Sequence, residues 1–128
     1  MSLNAGRVKA RDTKRMADLK QISLAIELYI GANGYLPTRN SAFPTTWCTY
    51  ISNPIYPDFV NDIRPYMPSI PSDPVTPRQG SDYFFRNYDG VAKYALCAKL
   101  ERATGNTYDY TAQCDGAVPY NYCFFPNG

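Results

Sequence analysis

A chain of 128 residues and 14.4 kDa suits one domain built on one core. Hydrophobic residues at 45% and charged residues at 19% exclude a disordered chain and a charged coiled coil, and the absence of histidine excludes Ser/His/Asp and Cys/His catalysis and histidine-bearing zinc sites. A net charge of +2 is too small to make a nucleic-acid binder on charge alone.

Residues 1–4, with their opening Met1-Ser2-Leu3, read as vector-derived and as the start of a truncated chain. The helix formers and the lack of proline then predict one long helix over residues 5–33. Val8, Leu19, Ile22, Ile26, Tyr29 and Ile30 fall on one stripe at helical spacing. Leu24 and Leu28 lie nearly opposite, which predicts burial on more than one side near the helix end. From Gly6 to Arg15 the helix is polar and basic and has little to bury. Such a helix is marginal alone in water, so it is expected to continue from something upstream. Asn33-Gly34 supplies a left-handed cap, and Pro37 forbids resumption.

The charge is uneven. Residues 1–40 hold seven Lys/Arg against three Asp/Glu, a balance of +4, while residues 41–128 hold six against eight, a balance of −2. Six of the cations fall between Arg7 and Lys20. They form either a solvated helix face or a surface for acidic lipid headgroups or an acidic neighbour.

Residues 34–80 read as a long Pro-rich αβ-loop, whose nine prolines from Pro37 to Pro77 exclude a long regular element. Asp58 to Ile63 can make one or two helical turns after Pro57, with Phe59 and Ile63 facing inward. Trp47, Tyr50, Ile55, Tyr56 and Phe59 are expected to pack this loop upon itself.

Residues 82–125 read as the sheet. A strand over residues 82–88 meets the turn pair Asp89-Gly90, and residues 91–101 return. Tyr94, Leu96, Ala98 and Leu100 share the face expected to meet the helix stripe. A third strand is predicted over residues 107–111 and a short extended segment over residues 120–125. The fold class is therefore α+β, in a single domain over residues 5–128. A long N-terminal helix packs on a three- to four-stranded antiparallel sheet.

The four cysteines, Cys48, Cys97, Cys114 and Cys123, contain no CxxC pair, so they read as two disulfides in an oxidising compartment. Three connectivities are open. Pairing Cys114 with Cys123 closes a short loop around Asp115-Gly116 and leaves Cys48 for Cys97; this arrangement is preferred. Pairing Cys97 with Cys123 or with Cys114 would instead staple the C-terminal segment to the sheet.

Three stretches carry a family resemblance. The run from Ala10 to Ile22 (ARDTKRMADLKQI), followed by Ala25, Tyr29, Gly34-Tyr35 and Pro37, resembles the helix end of type IV pilin-like proteins, including the type II secretion pseudopilins, with Leu36 intruding between Tyr35 and Pro37. Ile70-Pro71-Ser72-Asp73-Pro74 resembles the Pro-x-Asp-Pro element before the family's sheet. Tyr94 to Glu101 (YALCAKLE) resembles a family strand that ends in Leu-Glu. Residues after Glu101 match nothing closely.

The resemblance implies a pilin-like fold and a structural subunit of a type IV pilus-like or type II secretion filament. It also implies a deleted upstream leader and an apolar helix that anchors the precursor in the inner membrane. The head would sit in the periplasm, or on a cell-surface filament in a pilus. Implied partners are other copies of the chain and related pilins, a prepilin peptidase and an assembly platform. Arg11, Asp12, Lys14, Arg15 and Asp18 would then set subunit register.

The alternative is a minor pilin acting as an adhesin or DNA-uptake subunit; otherwise no nucleic acid is expected. Some secretion pseudopilins hold calcium near the C-terminal turn, where this chain has Asp109 and Asp115, but turn aspartates are the plainer reading. Asp58 and Asp62 share a helix face and read as solvated, so no catalytic residue, cofactor or enzymatic activity is expected.

Overall fold

Helix α1 runs from Leu3 to Asn33 in the computed structural model, which describes residues 2–37, 48–51, 58–75, 82–88, 91–102 and 120–126. At 1.5 Å per residue its 31 residues span about 46 Å. Ser2 caps the start, its Oγ accepting from the Ala5 N–H at 3.1 Å. The helix therefore begins within the four residues read as vector-derived. Gly34 ends it at φ 80°, a left-handed conformation that favours glycine, and its N–H reaches the Ile30 carbonyl at 2.7 Å.

The remaining elements are β1 (Cys48–Tyr50), α2 (Asp58–Ile63), β2 (Phe84–Asn87), β3 (Tyr94–Ala98) and β4 (Tyr122–Phe124). The four strands form one antiparallel sheet in the order β1-β2-β3-β4. Strand β1 departs from expectation, since it lies inside the Pro-rich loop. Three residues are too few for a readable alternation, and they are held as strand by pairing with Arg86, Phe85 and Phe84 of β2. The predicted strand over residues 107–111 and the turn Asp89-Gly90 lie outside the described residues.

The core forms where the second half of α1 meets the sheet. Leu19, Ile22 and Ile26 are fully buried against Phe85, Tyr94, Leu96 and Ala98. This is the contact expected from the two stripes, and Leu100 is buried just beyond β3. Each such aliphatic side chain contributes about 1.5–3 kcal/mol through removal from water. Phe59 and Ile63 face inward from α2 as expected, and Phe59 packs at 4.6 Å between ring centroids against Phe85. Leu24 and Leu28 correct the reading of a helix buried on more than one side. They are 58% and 57% exposed, because no described element covers the face of α1 opposite the sheet.

The other face of the sheet carries a second cluster of Phe84, Ala95, Cys97 and Tyr120. Phe84 and Tyr120 stack at 5.2 Å, and the Tyr120 hydroxyl donates to the Asp82 carbonyl at 2.9 Å. Cys97 is bonded to Cys123, which overturns the preferred Cys114–Cys123 pairing. The reason is register: these cysteines stand directly opposite one another in β3 and β4, and opposed side chains in an antiparallel pair lie on the same face. Asn121 fastens the same edge, accepting from the Leu100 N–H at 2.7 Å and donating to the Leu100 carbonyl at 2.9 Å.

Candidate functional site

The basic half of α1 divides into two parts. Residues from Leu3 to Ala10 project into solvent, with only Val8 half-buried. The first buried residue is Asp12, at 0% exposure, and Arg15 follows one turn later at 2%. A buried charge is tolerated only when paired and hydrogen-bonded, and here every partner comes from the same chain.

Arg15 is the centre. Its Nε donates to Asp73 Oδ2 at 2.7 Å and its Nη2 to Asp73 Oδ1 at 3.2 Å, a two-pronged bond suited to the planar guanidinium. Its Nη1 donates to Asp12 Oδ1 at 2.9 Å and to Glu101 Oε2 at 2.7 Å. Asp12 also accepts from the backbone N–H groups of Glu101 and Arg102, at 2.9 and 3.1 Å, and from Arg102 Nε at 3.2 Å. Arg11 closes the outer side with a forked bond to Glu101 at 2.7 and 2.6 Å. Three arginines thus face three carboxylates, and the cluster is neutral.

The electrostatics follow the geometry. Hydrogen bonds from Arg11 and then Arg15 hold the Glu101 carboxyl down at about 2. Burial alone would raise Asp12, but the backbone bonds from Glu101 and Arg102, together with the side-chain bonds from Arg102 and Arg15, outweigh it and leave the group below the usual carboxylate range. Burial works against the Arg15 charge in the same way, and the hydrogen bonds it donates to Asp73 and Glu101 reverse it and raise the pKa. Glu101, Asp12 and Arg15 therefore stay charged near neutral pH within the cluster. It fastens the helix to the loop and to the chain leaving β3.

Of the five charges expected to set subunit register, Asp12 and Arg15 are buried inside the chain, and Arg11 is engaged with Glu101. Asp18 accepts from Lys14 at 2.6 Å and from the Tyr83 hydroxyl at 2.6 Å. Only Lys14 keeps half of its side chain in solvent. Asp12 and Arg15 leave almost no surface exposed, at 0% and 2%, and their charges are paired within the chain.

Sequence reasoning missed the partners Asp73, Glu101 and Arg102. The signal was present, since Asp73 lies in the Pro-x-Asp-Pro element and Glu101 ends the Leu-Glu strand. Cys48 contributes its backbone to β1. Cys114, Asp109 and Asp115 lie outside the described residues. Among the described residues no group of three or more His, Cys, Asp or Glu side chains is placed to hold a metal, and no helix is long and apolar enough to cross a membrane.

Two small cavities lie among the described residues. One of about 200 Å³ is lined by Tyr88, Lys93, Tyr94 and Phe125, and one of about 160 Å³ by Ile51, Val60, Arg64, Pro68 and Ile70. Both fall below the roughly 300–1,000 Å³ of ordinary ligand pockets. No protein family, no curated protein and no solved structure matches the chain.

Proposed function

We propose that the chain is the head domain of a filament subunit of the type IV pilin and type II secretion pseudopilin class. The observation that carries this reading is the convergence on Arg15. The three stretches that resemble the family, Ala10–Ile22, Ile70–Pro74 and Tyr94–Glu101, supply Asp12 and Arg15, Asp73, and Glu101 to one ion cluster. Motifs 58 and 86 residues away from Arg15 are then one physical unit, which is what a shared architecture requires and chance resemblance does not.

The projecting turns of α1 support the same reading. A polar helix that leaves the head with nothing to bury suits a continuation into an apolar segment. In that proposal the segment anchors the precursor in the inner membrane with the head in the periplasm. A prepilin peptidase and an assembly platform act on it, and the segment packs against other copies in the filament. The apolar surface passes from lipid to protein, so the transfer costs little hydrophobic energy. Head-to-tail contacts that do not close make an open filament. The role is structural, and the ion-paired cluster is a fastening, not a reaction centre.

The test compares two forms. A form carrying an apolar segment ahead of α1 should appear in sheared or detergent-extracted filaments labelled by antibody to the head. The 128-residue chain alone should sediment as a monomer. Ordered fibres from the head alone, or no filaments from the anchored form, would contradict the reading.

A further inference from the structure

We propose that the solvent face of α1 is a docking surface for an anionic bilayer, on which the head lies peripherally with its sheet turned away. This face lies directly opposite the core stripe. Its apolar ridge is Ala10, Ala17, Leu24 and Leu28, spaced by seven, seven and four residues, and all four are exposed. The spacing keeps them on one line of the helix. Lys9 and Lys20 border the ridge on one side, and Arg7 and Lys14 on the other; all four are exposed. Lys14 shares its charge with Asp18, and the exposed carboxylate on this face is Glu27, which accepts from the Tyr94 hydroxyl.

The charge pattern selects the occupant. An apolar ridge between two rows of long cationic side chains matches an interface of acyl chains beneath anionic headgroups, with the lysine stems lying along the apolar surface. A second copy would bring the same cationic rows against each other, with Glu27 as the exposed counter-charge. A nucleic-acid backbone would satisfy the cations and leave two leucines, each more than half exposed, without a role. The bilayer uses both features. This seat involves side chains of the described helix alone and stands whether or not the chain assembles into filaments.

The experiment is flotation of the 128-residue chain with vesicles of phosphatidylcholine alone or with about a third phosphatidylglycerol. Binding should require the anionic lipid and fall steeply between low and high salt. Lys9→Gln with Lys20→Gln should weaken it about 25-fold, at about fivefold per cation. Leu24→Ser with Leu28→Ser should weaken it by about tenfold or more at unchanged charge. Far-ultraviolet circular dichroism verifies that each variant is folded; if the leucine pair were not, the lysine pair and the lipid and salt dependence decide. Equal binding to neutral vesicles, or none to anionic ones, would overturn the proposal. Self-association abolished by the leucine variants would overturn it in favour of a second copy. Binding indifferent to the leucines, with equal retention on DNA, would overturn it in favour of a plain electrostatic surface.

Discussion

Arg15 on α1 donates through Nε to Asp73 at 2.7 Å across 58 residues of sequence, with both side chains 3% exposed. This pair joins the helix to the loop that precedes the sheet, and Asp12 and Glu101 extend the junction to the end of β3. The head is thus oriented on its helix by charge at the edge and by apolar packing further along.

Removing Arg15 should be expensive. Arg15→Met leaves Asp12, Asp73 and Glu101 crowded without their shared cation, and urea denaturation should read a loss of about 3–5 kcal/mol. Arg15→Lys keeps the charge but cannot make the forked bond to Asp73, so it should recover only part of the loss. An unchanged denaturation midpoint for Arg15→Met would mean that the cluster does not hold the fold.

The cluster also sets an acid limit. Glu101 is held at about 2 in the folded chain, and Asp12 is lowered as well. A carboxylate with a depressed folded pKa stabilises above its unfolded value, about 4.3 for Glu, and that stability is lost as pH falls through the folded value. Stability should therefore be flat in these groups from pH 7 to about 5 and fall between about pH 4.5 and 2. Glu101→Gln should flatten part of that slope in melting curves taken across the range. A slope unchanged by this substitution would show that Glu101 is not linked to folding.

Two neighbouring positions on α1 should respond oppositely to the same substitution. Ile26→Asp places a charge at a fully buried site and should unfold the domain. Leu24→Asp changes a residue 58% exposed and should stay within about 0.5 kcal/mol of the parent by chemical denaturation. Similar losses at both sites would mean that the helix is rotated from the arrangement described.

Mass spectrometry of unreduced peptides should find Cys97 linked to Cys123. The Cys97–Cys123 bridge spans 26 residues, and its loss through Cys97→Ala with Cys123→Ala should cost about 3–4 kcal/mol. A peptide linking Cys114 to Cys123 would contradict the register of β3 and β4.

Much of the fold was legible because its signals are local or periodic. The stripe through Leu19, Ile22 and Ile26 and the alternation through Tyr94, Leu96 and Ala98 each declare a buried face, and two such faces in one small domain must meet. The failures have a common cause. The outward direction of Leu24 and Leu28 depends on whether a further element covers them, which periodicity does not say. The strand Cys48–Tyr50 is defined by its partner, and the Cys97–Cys123 bridge by register, both of which are non-local. The charges from Arg11 to Asp18 look identical in sequence whether they face solvent or Asp73. Only the tertiary arrangement separates buried Arg15 from exposed Lys14.

The central proposal, that an apolar segment ahead of α1 packs copies of the chain together in a filament, is tested most directly by cross-linking in cells. A photoreactive amino acid at Asn4, an exposed position ahead of the ion cluster, would be placed in a form carrying the proposed membrane anchor ahead of α1. The account predicts a ladder of dimers, trimers and higher multimers of the chain after illumination, and no ladder from the same residue placed at Lys99 beyond β3. Cross-links from Asn4 to lipid or unrelated proteins alone, with no multimers at any level of expression, would contradict it.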